Sequence, residues 1–142
     1  MPPVDEDKNM AVAPQDIGYY IETARALAAR VATEADRIDR ERQIPPELAD
    51  EIAEKGFFRL LVPRSLGGAE LDYLEFLRVV QVFGEVDGSV GWCVNQNNIF
   101  ATNSVRVNEQ AAQEIWTHVR NVVTNGPPVP SAEAVPVDGG YR

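Results

Sequence analysis

From Ile17 to Ile38, apolar side chains recur at Ile17, Tyr20, Ile21, Ala24, Leu27, Ala28, Val31, Ala35 and Ile38. Steps of three and four draw one stripe along a helix. A helix this long with a single apolar side must bury that side against other elements, so this stripe constrains the fold more than any other feature. Asp16 stands where an N-cap belongs, and Arg30/Glu34 and Asp36/Arg40 are four apart, spaced to pair on the solvent face.

Further helices follow. Pro45-Pro46 stops the first pattern and opens a short second helix, since proline in a first turn gives up no hydrogen bond. Leu48, Ala49, Ile52 and Ala53 form its inner face, and Gly56 ends it. Phe57 to Pro63 is too apolar to be exposed and reads as a buried extended connector, with a turn at Leu66-Gly67-Gly68. Asp72 with Glu75 resembles a capping box for a third helix carrying Leu74, Leu77, Val80 and Phe83 inward. Ser89 is placed to cap a fourth helix reaching about Asn103, and Asn108 or Glu109 starts a fifth with Ala112, Ile115 and Trp116. Then the period changes. Val122-Val123-Thr124 is strand-like, Asn125-Gly126-Pro127-Pro128 is a turn, and residues 134–142 read as strand, hairpin turn and the start of another strand. The expected fold class is mainly α: a mobile tail over residues 1–15, a helical domain over 16–118, and the first strands of an incomplete β-domain over 119–142. A chain ending just inside a strand leaves a ladder unpaired and suggests a fragment.

Charge narrows the partners. Thirteen basic against 22 acidic side chains give a net −9, which repels phosphate backbones and anionic lipid. Nucleic acid and membrane surface are therefore not expected partners. Cys93 is the single cysteine, so the chain forms no internal disulfide and holds no CxxC metal site. That usage suits a reducing cytoplasm, the expected location. The first residues lack the pattern of a secretory signal, and no segment approaches the roughly 20 apolar residues of a membrane span.

Neither a GxGxxG, a Walker loop, an HExxH nor a GxSxG motif occurs. His118 reads as a surface or capping residue, and Cys93 as a buried, inert thiol with no cation nearby in sequence to activate it. The fourth helix is more informative. Gly91, Asn95, Asn98 and Thr102 share one side of it at helical spacing. Burying an asparagine amide without partners costs about 1–3 kcal/mol. That side therefore faces solvent or a neighbouring subunit, or else lines a polar ligand cavity.

Gly56-Phe57-Phe58-Arg59-Leu60-Leu61-Val62-Pro63, Leu66-Gly67-Gly68, Leu71-Asp72-Tyr73-Leu74 and Val86-Asp87-Gly88-Ser89-Val90-Gly91-Trp92 follow in order. Together they resemble the first-domain signature of the acyl-CoA dehydrogenase superfamily. Ala134 to Arg142 is similar to the opening of that superfamily's middle β-domain. The resemblance implies an N-terminal helical bundle, a middle β-domain and a C-terminal four-helix bundle enclosing FAD or FMN, usually in a homotetramer. One branch oxidises acyl-CoA thioesters. A sister branch of flavin-dependent monooxygenases takes reduced flavin from a separate reductase and hydroxylates small-molecule substrates. Gly91-Trp92 and the loop from Val123 to Pro128 look more like the monooxygenase branch.

By the same resemblance, Trp92, Asn125 and Gly126 would contact the cofactor and Asn98 the substrate. For Trp92 the alternative is a core anchor. The base in both branches comes from the C-terminal domain, so no catalytic residue and no metal ligand is assigned. The competing readings are an acyl-CoA dehydrogenase proper and a non-catalytic stand-alone helical interaction module.

Overall fold

The computed structural model describes residues 15–120, 122–124 and 133–142. The expected tail up to Pro14 and the turn at Asn125 to Pro128 lie outside the described residues. Helix α1 spans Ile17–Glu41, and the Asp16 carboxylate accepts from the Tyr19 N–H at 2.9 Å. Its stripe is buried at Tyr20, Ala24, Leu27, Ala28, Val31 and Ile38. Helix α2, Pro46–Glu54, buries Leu48, Ile52 and Ala53. Gly56, at φ 84°, takes the chain out of it in a conformation that costs glycine little.

Helix α3, Tyr73–Gly84, is capped by Asp72, and α4 spans Gly88–Ala101 and runs on into a 3-10 turn at Thr102–Val105. Helix α5, Glu109–Trp116, starts at an Asn108 cap that receives the Ala111 N–H at 2.9 Å. A two-stranded antiparallel hairpin, β1 (Pro136–Val137) and β2 (Gly140–Tyr141), has exposed residues throughout. Val135 and Arg142 exchange both backbone hydrogen bonds at 3.0 Å, extending the pairing by one rung.

The main core lies between α1, α2, α3, α4 and the connector after α2. Edge-on ring contacts from Tyr20 to Phe57 (5.8 Å) and Phe57 to Phe83 (5.1 Å) join three of these elements. A second cluster gathers Val62, Leu66, Ala101, Ala112 and Trp116, with Ile115 and Val123 packed against it. Helices α3 and α4 approach closely where Gly91 faces Gly84: a Cβ on Gly91 would sit 2.8 Å from the Gly84 Cα.

Five expectations are corrected. Helix α3 buries Phe76, Val79 and Phe83, whereas Leu74 and Leu77 are 67% and 39% exposed. Its sequence is apolar on more than one face, so periodicity alone could not choose the inner one. Asp87, not Ser89, caps α4; its carboxylate accepts the Ser89 and Val90 N–H groups at 2.9 and 3.0 Å. Arg30 pairs with Glu51 of α2 instead of Glu34, and Arg37 joins Glu34, Glu41 and Glu47, because α2 brings its own carboxylates beside α1. Phe57 to Pro63 is buried, but it bends and turns instead of running extended. Val122–Thr124 is not a strand.

Candidate functional site

The connector from Phe57 to Val62 has no helix or sheet to satisfy its backbone, yet it is almost wholly buried. Buried peptide groups need partners, and two sets of them serve this connector. The chain folds back after its turn, so that Ala69, Leu71 and Glu70 donate to the carbonyls of Arg59 (3.0 Å), Leu60 (2.9 Å) and Val62 (3.1 Å). Gly68 makes this return possible, since a Cβ there would collide with the Val62 carbonyl.

Asn98 of α4 supplies the second set. Its side chain is fully buried. Oδ1 accepts from the Leu61 N–H at 3.1 Å, while Nδ2 donates to the carbonyls of Phe57 (2.7 Å) and Val94 (2.8 Å). Both amide protons and the carbonyl are therefore engaged inside the chain. Asn98, expected from the resemblance to touch substrate, holds the connector in this structure. Its neighbours on the same side of α4 differ: Gly91 is buried, Asn95 half-buried and Thr102 exposed.

Arg59, within the connector, is 3% exposed and turns its side chain to carbonyls outside it. Nη1 donates to the carbonyls of Trp116 and His118 (the latter at 3.2 Å), and Nη2 donates to the Leu66 carbonyl. Nε has no partner among the described residues. Burial pushes its pKa down, with the nearby Tyr20 phenol opposing. Sequence reasoning assigned this residue no role. The available signal was a cation inside the run Phe57-Phe58-Arg59-Leu60-Leu61, where burial demands compensating acceptors.

Trp92 points the other way. It is 62% exposed, which rules out the core-anchor reading and leaves a large aromatic surface uncovered on α4. Tyr73, Leu74 and Leu77 of α3 are likewise exposed, as are Val105, Val107 and Val122. Asn125 and Gly126 lie outside the described residues, and Thr124 just before them is exposed. The structure thus places Trp92 on the surface and Asn98 in the interior of one helix, and does not bring them together at a cavity.

Three of the surface clefts among the described residues are open to solvent. One, of about 330 Å³, lies between the end of α1 and the start of α4, with Asp39, Arg42, Asp87 and Cys93 on its walls. The others, of about 480 and 360 Å³, involve Arg30 with Glu51, and Arg25 with Glu85. None of the three is lined by Trp92 or Asn98. Cys93 is half-buried instead of fully buried, and desolvation, then the Asp87 charge, pushes its pKa up, as an unreactive thiol requires. His118 is half-buried and accepts the Arg120 N–H at Nδ1, 3.1 Å away. Among the described residues no group of three or more His, Cys, Asp or Glu could hold a metal ion, and no helix is long and apolar enough to cross a membrane.

Comparison with known proteins agrees with this architecture. The chain is 28% identical over 116 residues to the oxygenase subunit HsaA of a flavin-dependent monooxygenase from Rhodococcus jostii, covering 82% of this chain and 30% of that protein. It is 25% identical over 122 residues to a pigment production hydroxylase from Rhodococcus erythropolis, covering 86% and 31%. With an indole-3-acetate monooxygenase from Pseudomonas putida it shares 29% identity over 133 residues, covering 84% and 33%. The chain therefore spans about a third of the length of these curated relatives. The family model for the acyl-CoA dehydrogenase N-terminal domain matches residues 19–119, from the first turn of α1 to just beyond α5. Most of the chain is thus matched, and the protein belongs to the acyl-CoA dehydrogenase family through its N-terminal helical domain.

Proposed function

We propose that this domain forms one wall of the flavin site in the oxygenase component of a two-component monooxygenase. Reduced FAD or FMN would come from a separate flavin reductase, and the substrate would be a small molecule. The remaining walls would come from a middle β-domain, of which residues 133–142 are the first hairpin, and from a C-terminal helical bundle, in a homo-oligomer. The observation that carries this reading is Trp92: a large indole left 62% exposed on a helix whose other side is locked into the core. The monooxygenase and hydroxylase names of the relatives support the choice of branch.

The residues present suit such a cofactor as a wall. An isoalloxazine ring is flat and largely apolar, and Trp92 offers a matching aromatic surface. Backbone groups at Asn125 and Gly126 would supply polar contacts where glycine permits close approach. Bound reduced flavin would supply the oxygen chemistry. This chain would bind, orient and exclude water, while the proton-handling base would sit in the C-terminal domain. Asn98 would act by fixing the connector and α4, not by touching substrate.

The test uses protein carrying this domain with the two completing domains, supplied with a flavin reductase, NADH and labelled dioxygen. Incorporation of one labelled oxygen atom into an aromatic substrate is the expected result. Anaerobic bleaching of bound oxidised flavin by acyl-CoA thioesters, without oxygen incorporation, would assign the protein to the dehydrogenase branch instead.

A further inference from the structure

We propose that Arg59 is a positioning residue for the cofactor end of this domain, acting as a clasp that sets where the chain leaves α5. This rests on the flavin-site reading above. The guanidinium reaches in two directions from the buried connector. One nitrogen takes the carbonyls of Trp116 and His118 at the C-terminal end of α5, and the other takes the Leu66 carbonyl in the turn after the connector.

The electrostatics favour a cation at that place. The last carbonyls of a helix have no intrahelical donor and carry the negative end of its dipole. Among the described residues no carboxylate pairs with Arg59, so these carbonyls are what compensates the buried charge. No basic residue of α5 occupies its own last turn, and the cap is supplied from 57 positions earlier in sequence. A planar fork can hold both partners at once, whereas the lysine ammonium is a point charge on a flexible stem.

The consequence lies downstream. Trp116 packs with Val62 and Leu66, and Val123 packs against the same cluster. Holding the end of α5 against the turn therefore holds together the cluster on which Val123 rests. Arg59 makes no contact with cofactor in this account. It acts through the chain it holds.

The experiment uses protein carrying this domain with its completing domains and compares wild type with Arg59→Lys and Arg59→Met by amide hydrogen exchange and by titration with reduced FMN and FAD. Exchange at Gln113–Thr117 should accelerate about tenfold or more in both variants, while α1 and α3 amides keep their protection. Reduced-flavin Kd should rise about tenfold in Arg59→Lys, with turnover at saturating flavin little changed. Arg59→Lys keeps the charge and so provides a folded variant if Arg59→Met does not fold. Protection lost equally in α1, α3 and α5, or unchanged in α5, overturns the clasp. Unchanged flavin affinity despite faster α5 exchange overturns the positioning role. Wild-type protein with no affinity for reduced flavin would overturn the preceding functional reading and the cofactor half of this one, with the exchange result still deciding the clasp.

Discussion

Asn98 and Trp92 stand on the same helix and show how one residue type can mislead where another informs. An asparagine amid apolar neighbours signals a buried polar demand, but its sequence does not say whether a ligand or the chain's own backbone meets it. Here the backbone of Phe57 and Leu61 does. Asn98→Ala should therefore destabilise the fold by about 3 kcal/mol, leaving the Leu61 N–H and the Phe57 carbonyl buried without partners. The midpoint of urea unfolding measures this, and a loss under about 0.5 kcal/mol would contradict it. Trp92→Ala should do the reverse: stability within about 0.5 kcal/mol of wild type, as expected for an exposed side chain, but weakened reduced-flavin binding in the protein with its completing domains. Chemical denaturation and flavin titration on the same variant separate the two effects.

At the scale of elements, caps decide where helices start, and most of them were legible. Asp16 and Asn108 cap as their positions before apolar periods imply. The fourth helix is the exception, because Asp87 and Ser89 are both capping residues two positions apart, and sequence cannot rank them. Burial pushes the Asp87 carboxyl up, but bonds from the Ser89 hydroxyl and from the Val90 and Ser89 N–H groups outweigh it and hold the pKa below its ordinary value. A folded-state pKa below the unfolded one contributes stability above the unfolded value, about 3.9, and loses it as pH falls through the folded value. Asp87→Ala should cost about 1 kcal/mol at neutral pH, with the gap to wild type closing in strong acid. Thermal melts from pH 7 down to pH 2 check this, and a gap independent of pH would refute it. The same scale explains the misjudged face of α3. Tyr73, Leu74, Phe76, Leu77, Val79, Val80, Val82 and Phe83 are all apolar, so no single stripe stands out, and packing against α1 and α4 chose Phe76, Val79 and Phe83. The clasp at Arg59 was invisible for a further reason: its partners are backbone carbonyls, which every residue carries and which only folding brings within reach.

The described residues present a well-filled interior beside apolar surface that none of them covers. Leu74, Trp92 and Val105 are each more than half exposed, while the core from Tyr20 through Phe57 to Phe83 is closed. Enclosing a flavin demands walls on several sides, and this domain accounts for about a third of the length of its curated relatives. The order of motifs made the family legible in sequence, since five short patterns in register are hard to reproduce by chance. The site was less legible because its cofactor side is defined by surfaces, and a sequence does not state which apolar residues stay uncovered. The most direct measurement is tryptophan fluorescence during anaerobic titration with reduced flavin, in protein carrying the completing domains and the substitution Trp116→Phe, so that within this domain Trp92 alone reports. Saturable quenching that disappears when Trp92 is also replaced by phenylalanine is the predicted result. Quenching that survives that second substitution, or none at all, would contradict the placement of this domain as a wall of the flavin site.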